Sequence, residues 1–417
     1  MTLELRAVGR SEAEAFFRHV ALAFGAVPDQ EELEGAAARF EPDFALGVFD
    51  QGRIVASAGA YPLEMTVPAG AGGSRATVPV PGVTAVGVAP THRRRGLLTR
   101  LMTHQLADLR DRGYPLSVLL ASQSIIYGRF GYGWAQSYQS LVIESDHDAF
   151  RPDAPVAPGR MRMVEPDEVA KALPPIHDRA RRQRPGELNR TTRWWDWHVK
   201  DPEKQRDGME ARMYAAHESA AGEADGWVSY RYNKLTWPAG IPRHQVVVQD
   251  LVATDAAVYA ALWRFVLDLD LVEEVAAPQR PVDEPLRWLL ADPRRLRTTE
   301  VGDHLWVRIL DIRAALAARG YGAAERLVME VLSEDPSASG RYVLETGPEG
   351  GHCRRAERGE KVALVLGLAD LGALYLGGVP VSTLAAAGRV SEIQPGAVAA
   401  AERAFASPVA PYCTLHF

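Results

Sequence analysis

Cysteine is almost missing from this chain: Cys353 and Cys413 are its two thiols, far apart and without a CxxC pairing. That excludes a disulfide framework and a thiolate zinc site, and it fits a reducing compartment. No stretch of about 18 apolar residues occurs, so no membrane-spanning helix is expected. The N-terminus, Met1-Thr2-Leu3-Glu4-Leu5-Arg6, carries acid and lacks the charged-then-apolar order of a signal peptide, which reads as cytoplasmic and soluble. Net positive charge is also absent. With 47 Lys and Arg against 53 Asp and Glu, the balance of -6 argues against nucleic acid as a partner, although a local basic cluster can still grip a small phosphorylated ligand. His177, His244 and His352 show no metal-ligand spacing, so no metal is expected.

What is present suits a folded protein with real cores: 47% apolar and 24% charged residues is an ordinary globular composition. A length of 417 residues exceeds what one core usually supports and predicts two or three domains. Residues 11–24 carry Ala15, Phe16, His19, Val20 and Ala23 at helical spacing, with Ser11 as cap and Glu14 three residues on. Residues 31–40 follow as a second helix. Residues 45–49 and 53–61, joined by Asp50-Gln51-Gly52, read as a hairpin. A strand at 83–88, a helix at 97–112 and a buried strand at 116–120 complete an α/β unit that closes near residue 148, before the Pro-rich linker 151–158.

Beyond residue 161 the same order returns more weakly, with strands at 226–232 and 246–253 and a helix at 255–267, but no basic glycine turn. This suggests an internal duplication whose second copy lost its ligand site. Trp194, Trp195 and Trp197, with His198, suit the packed face of a helix between domains. A third, mixed α/β section starts near Asp303, and the apolar strand-like end, Tyr412 to Phe417, should be tucked into structure.

The chemistry concentrates in one turn. Val86-Gly87-Val88 feeds Arg93-Arg94-Arg95-Gly96, and Leu97-Leu98-Thr99 opens a helix. A helix N-terminus presents unpaired N–H groups and partial positive charge, which suits a pyrophosphate; arginines add charge-assisted bonds, and Gly96 lets backbone approach phosphate. Arginines at a helix start oppose its dipole unless an anion binds there.

This turn, followed by Ala121-Ser122 and by Ile126-Tyr127-Gly128-Arg129-Phe130-Gly131-Tyr132-Gly133, with Phe417 last, resembles the Eis (enhanced intracellular survival) family of GNAT N-acetyltransferases. Later blocks, Leu305-Trp306-Val307-Arg308-Ile309 and Leu374-Tyr375-Leu376-Gly377-Gly378, resemble that family's third section. The resemblance implies tandem GNAT folds within an α/β (α+β) class. These are a catalytic domain at 1–148, a degenerate copy at 149–302, and a sterol-carrier-protein-like α/β domain at 303–417, assembled as a homohexamer.

It further implies acetyl-CoA as co-substrate, held by Val86 to Val88 on a splayed strand, by Arg93 to Thr99, and by Ser122 and Gln123. Tyr127 matches the family's general acid, with Tyr132 as a nearby rival; alone, a tyrosine here would read as packing. Phe417 matches the terminal residue whose main-chain carboxylate serves as general base. A free α-carboxylate titrates near about 3.3 to 3.7, a weak base unless burial or a bridging water helps it. The implied acceptor is a small-molecule amine, an aminoglycoside included, with peptide lysine or N-terminal amines, or a non-enzymatic CoA- or lipid-binding role, as alternatives. The chain departs from the family in lacking acids where it has His416 and Phe24-Gly25-Ala26; Asp29, Glu31, Glu32 or Glu34 are the available substitutes.

Overall fold

The computed structural model describes residues 3–70, 73, 76–233 and 237–417; Met1 and Thr2, where the N-terminal reading began, lie outside the described residues. Two compact units form, Met1–Gln136 with Asp303–Phe417, and Ser137–Gly302.

The first unit is built on a seven-stranded sheet. Strands β1 (Glu4–Ala7), β2 (Leu46–Asp50), β3 (Arg53–Thr66) and β4 (Thr77–Val88) pair antiparallel in that order. The β4 strand then meets β5 (Leu116–Leu120) in parallel, and β5 pairs with the strand Leu305–Ile309, which carries β6 (Gly133–Trp134) at the edge. That distant strand was read from sequence as the opening of the third section. Its five residues are all buried, as expected of a strand covered on both faces, and it takes the first sheet as its partner.

Helices α1 (Ala13–Ala23) and α2 (Gln30–Ala38) precede β2, and α3 (Leu97–Asp111) crosses from β4 to β5. On α3, Leu97, Leu101, Met102, Gln105 and Leu109 fall on one buried face, and Gln105 Nε2 donates to Gly59 O at 3.1 Å. The Ser11 cap expected from sequence is not used. A short turn, Arg10–Glu12, leads into α1, and the Glu12 carboxylate accepts from Gly9 N–H at 3.0 Å. Glu12 wins because the same carboxylate is forked by Arg6, with N···O distances of 2.8 and 2.9 Å.

A five-stranded sheet, in the order Gly350–Arg355, Gly340–Gly347, Arg326–Leu332, Leu364–Gly367, Val390–Glu392, completes this unit. The final residues form no strand, contrary to the apolar pattern. Pro408 and Pro411 remove ladder donors there, yet Tyr412, Cys413 and Leu415 are buried, so the end is tucked in as a loop.

The second unit repeats the strand-helix-parallel-strand order, with His244–Ala253, Ala256–Leu267 and Val272–Pro281 inside another seven-stranded sheet. Asp255 caps its helix by accepting from Ala257 and Val258 N–H, so the place of a basic glycine turn is taken by an acidic cap. The tryptophans pack within this unit. Trp195 is buried edge-on to Trp194 and Trp227, and Arg190 lies 4.3 Å above Trp194 while bonding Asp250 at 2.7 Å.

Candidate active site

Two irregularities open β4. Its parallel pairing with β5 joins Gly82 to Val118 and Val83 to Leu119, at the start of the strand's second half. Ala85 then takes a left-handed φ of 54°, and the register against β3 shifts by a residue between Ser57 and Gly59. This is a β-bulge, and Ser57 Oγ holds it by donating to Ala85 O at 2.8 Å. Past the bulge, Ala89 N–H donates to Val55 O. Backbone groups alternate along a strand, so Val86 and Val88 turn theirs the other way, toward the edge that β5 has left. Residues 84 to 88 are half-buried there, open enough for an extended chain to pair with them.

After β4 the chain turns into α3 through residues 89–96. Gly96 takes a φ of 74° as the residue before α3, contributes no side-chain cap, and faces open space where a Cβ would stand. Arg94, itself at φ 60°, and Arg95 are exposed beside it. An anion can approach the first-turn amides of Leu97, Leu98 and Thr99 without displacing protein atoms. The Arg93 guanidinium donates to Ala23 O at 3.0 Å and to Val88 O at 3.4 Å, tying α1 to the end of β4.

Tyr127 lies on α4 (Ser124–Gly128), which β5 delivers through Ala121, Ser122 and Gln123. Its ring is buried in a cluster with Val83, Met102 and Leu119, against which Val86 and Leu98 also pack. One core patch therefore joins the opened strand, the first turn of α3 and the tyrosine. Leu97 turns instead into the neighbouring core with Val55 and Leu101, leaving its backbone N–H at the turn. Burial raises the Tyr127 phenol above the ordinary tyrosine value, and a hydrogen bond with Ser122 acts in the opposite direction. Ser122 and Gln123 are exposed, the latter at the α4 cap position.

The rival, Tyr132, is fully buried and shares a 2.7 Å hydrogen bond with Ser117. Freeing its phenol would leave a buried polar group unmatched, a cost of about 1–3 kcal/mol.

The chain end packs against the same strand, β4. A Cβ on Gly82 would come within 2.8 Å of Phe417 Cε2, so the Phe417 ring rests on β4 at the last residues still paired with β5. Sequence reasoning missed this seat, although a glycine inside a strand is itself a signal of close approach. It also missed His19, buried on α1 with Nε2 3.4 Å from Gly87 O, and Ser57. Burial lowers His19, against backbone hydrogen bonds to Gly87 and Ile54 that raise it. Among the described residues no group of three or more His, Cys, Asp or Glu is placed to hold a metal, and no helix is long and apolar enough to cross a membrane.

This geometry has relatives. The description "Acetyltransferase (GNAT) domain" matches residues 4–135 and again 186–309, and "Sterol carrier protein domain" matches 312–414. N-acetyltransferase Eis of Mycobacterium tuberculosis is 34% identical over 83% of this chain and 82% of its own length. The chain belongs to the Eis family of GNAT N-acetyltransferases. An uncharacterized N-acetyltransferase of Streptomyces avermitilis is 40% identical over 99% of both chains. Eis1 from Mycobacterium abscessus superimposes with a TM-score of 0.85 at 32% identity, covering 99% of this chain and all of Eis1. An Eis-family chain is an acyltransferase with two GNAT folds and a C-terminal sterol-carrier-like domain, and the opened β4 edge with its anion-ready turn is the feature on which that chemistry can be built.

Proposed function

We propose that the protein transfers the acetyl group of acetyl-CoA to a primary amine of a small molecule. The observation that carries this is the continuity of the opened β4 edge, the uncapped α3 N-terminus and Tyr127. The donor supplies an activated thioester. The first-turn amides of α3 with Arg94 and Arg95 bind its pyrophosphate, and Val86 and Val88 pair with its amide-bearing arm. The same free backbone N–H groups stabilise negative charge as it develops on the carbonyl oxygen. Tyr127 donates its proton to the departing thiolate; its raised pKa keeps that proton in place at neutral pH. The Phe417 carboxylate accepts the proton of the attacking amine, directly or through water.

An aminoglycoside is one acceptor within this class, but the acids that would attract a polycation are partly engaged. Asp29 and Glu32 cap α2 reciprocally, and Glu34 accepts from Gln30. Leu22, Phe24 and Val27 are exposed around the end of α1, whose Ala23 packs on Gly87 of β4. These features support acceptors with an apolar part. The homohexamer, the cytoplasmic location and the domain limits at residues 148 and 302 belong to the same proposal and rest on the sequence reading.

Thiol release from acetyl-CoA, measured against a panel of monoamines, aminoglycosides and lysine peptides, tests the function. Turnover with small amines is expected. Turnover confined to peptides would move the acceptor class, and inactivity across the panel would favour a CoA-binding protein without catalysis.

A further inference from the structure

The chain between β4 and α3 is fastened along its first half and exposed along its second. Ala89 N–H donates to Val55 O of β3 at 2.9 Å, and Arg93 reaches Ala23 O of α1 at 3.0 Å. Between them Pro90–His92 forms one tight turn, in which His92 N–H donates to Ala89 O at 2.8 Å. Arg94, Arg95 and Gly96, which follow, are all exposed.

The third fastening is the His92 side chain. Its Nε2 lies 3.2 Å from Asp50 Oδ2, and its Nδ1 lies 2.8 Å from Thr91 Oγ1. A carboxylate only accepts, so Nε2 carries a proton and donates it to Asp50, while the Thr91 hydroxyl can serve the other ring nitrogen in either sense. Asp50 ends β2 and is held by the tight hairpin that follows, where Gln51 and Gly52 take left-handed φ values of 49° and 75°. The His92 and Asp50 side chains are only 15% and 18% exposed, so their bond is largely screened from water and is not the solvated surface pair that contributes next to nothing.

The sign of the charge makes this contact informative. A carboxylate bonded to a residue four positions before Gly96 opposes, by charge alone, an anion arriving at the α3 N-terminus. Its contribution to an anion site is therefore geometric. We infer that His92 is a positioning residue of the donor turn, and that its bond to Asp50 fixes residues 89–93 so that the first-turn amides of α3 are aimed before the donor arrives. A turn ordered in advance spares the donor the entropy of ordering it. This inference rests on the acetyl-CoA reading above.

Calorimetric titration of acetyl-CoA into the full chain tests it, with Asp50→Ala, His92→Ala, the double variant Asp50→Ala/His92→Ala, and Asp50→Asn beside the wild type. Each alanine variant should weaken acetyl-CoA about tenfold, the effect of one hydrogen bond to a charged group. The double variant should lose no more than either single one, because both remove the same bond. Asp50→Asn keeps an acceptor oxygen and loses the charge, so its affinity should equal or exceed that of the wild type. Turnover at saturating donor should stay near wild type, since neither side chain is placed at the reacting atoms. Thermal melting checks that the variants are folded; the bond is broken from either side, so one folded single variant suffices. Tighter binding by Asp50→Ala, the outcome charge alone would give, overturns this inference, as do additive losses in the double variant or unchanged affinity in a folded alanine variant. Failure of the wild type to bind acetyl-CoA overturns the donor reading and this inference together.

Discussion

Phe417 lies against Gly82, its ring filling the space that a side chain at position 82 would need. The last residue of the chain is thus seated on β4 where β4 and β5 stop pairing. A backbone carboxylate can serve at a defined point only if the terminus is anchored, and this contact is an anchor.

Gly82→Val should therefore displace the terminus without straining the backbone. Its side chain would also meet Leu63 Cδ1, 2.7 Å from the position of a Cβ. A shift of about 1 Å in a reacting group can lower kcat about 100-fold, and the KM for acetyl-CoA should stay close to wild type. Steady-state kinetics on a folded variant, checked by thermal melting, decide this; unchanged kcat would detach Phe417 from the chemistry.

Adding a single glycine after Phe417 moves the carboxylate by up to about 3.5 Å while leaving the ring its seat. Acetyl transfer should collapse, with donor affinity retained. Full activity of the extended chain would remove the terminal carboxylate from the mechanism.

Tyr127→Phe keeps the buried ring and deletes the proton. Turnover should fall by about 10²- to 10⁴-fold, the usual worth of general acid catalysis, with little change in donor affinity. Because the folded Tyr127 pKa lies above the ordinary value, its acid form persists through neutral and mildly alkaline pH. Wild-type kcat should hold toward pH 9 rather than decline on account of this group, and an early alkaline loss would point to another acid.

Stability should fall on acidification. His19, His177 and His198 are each lowered chiefly by burial, so the folded state holds them neutral below the pH at which the unfolded chain protonates them. Between the lowered folded values and an unfolded value of about 6.5, the unfolded state binds more protons, so stability is complete above that pH and lost below it. Each histidine contributes at most about 1.4 kcal/mol per pH unit in that window. Thermal melts at several pH values from 7.5 to 5 check the trend; a flat midpoint would contradict it.

Much of the catalytic half was legible because its determinants are local. The basic glycine turn, the apolar face of α3 and the strand at residues 116–120 each lie within a short window, and the elements form where the pattern places them. What was not legible depends on partners. The apolar pattern of Leu305–Ile309 announces burial but not that β5 is its neighbour. The Ser11 cap was displaced by Glu12 because Arg6, on β1, also engages that carboxylate. The contact of Arg93 with the carbonyl of Ala23 on α1 has no signal in the basic run itself. The seat of Phe417 joins residues too far apart for any local pattern to connect.

The central claim, that the turn between β4 and α3 holds acetyl-CoA, is tested most directly by titrating acetyl-CoA into the wild type and into the double variant Arg94→Gln/Arg95→Gln. The account predicts saturable binding to the wild type and a loss of about 100-fold in the variant, the worth of two charge-assisted phosphate contacts. Unchanged affinity in the variant, or no binding to the wild type, would contradict it.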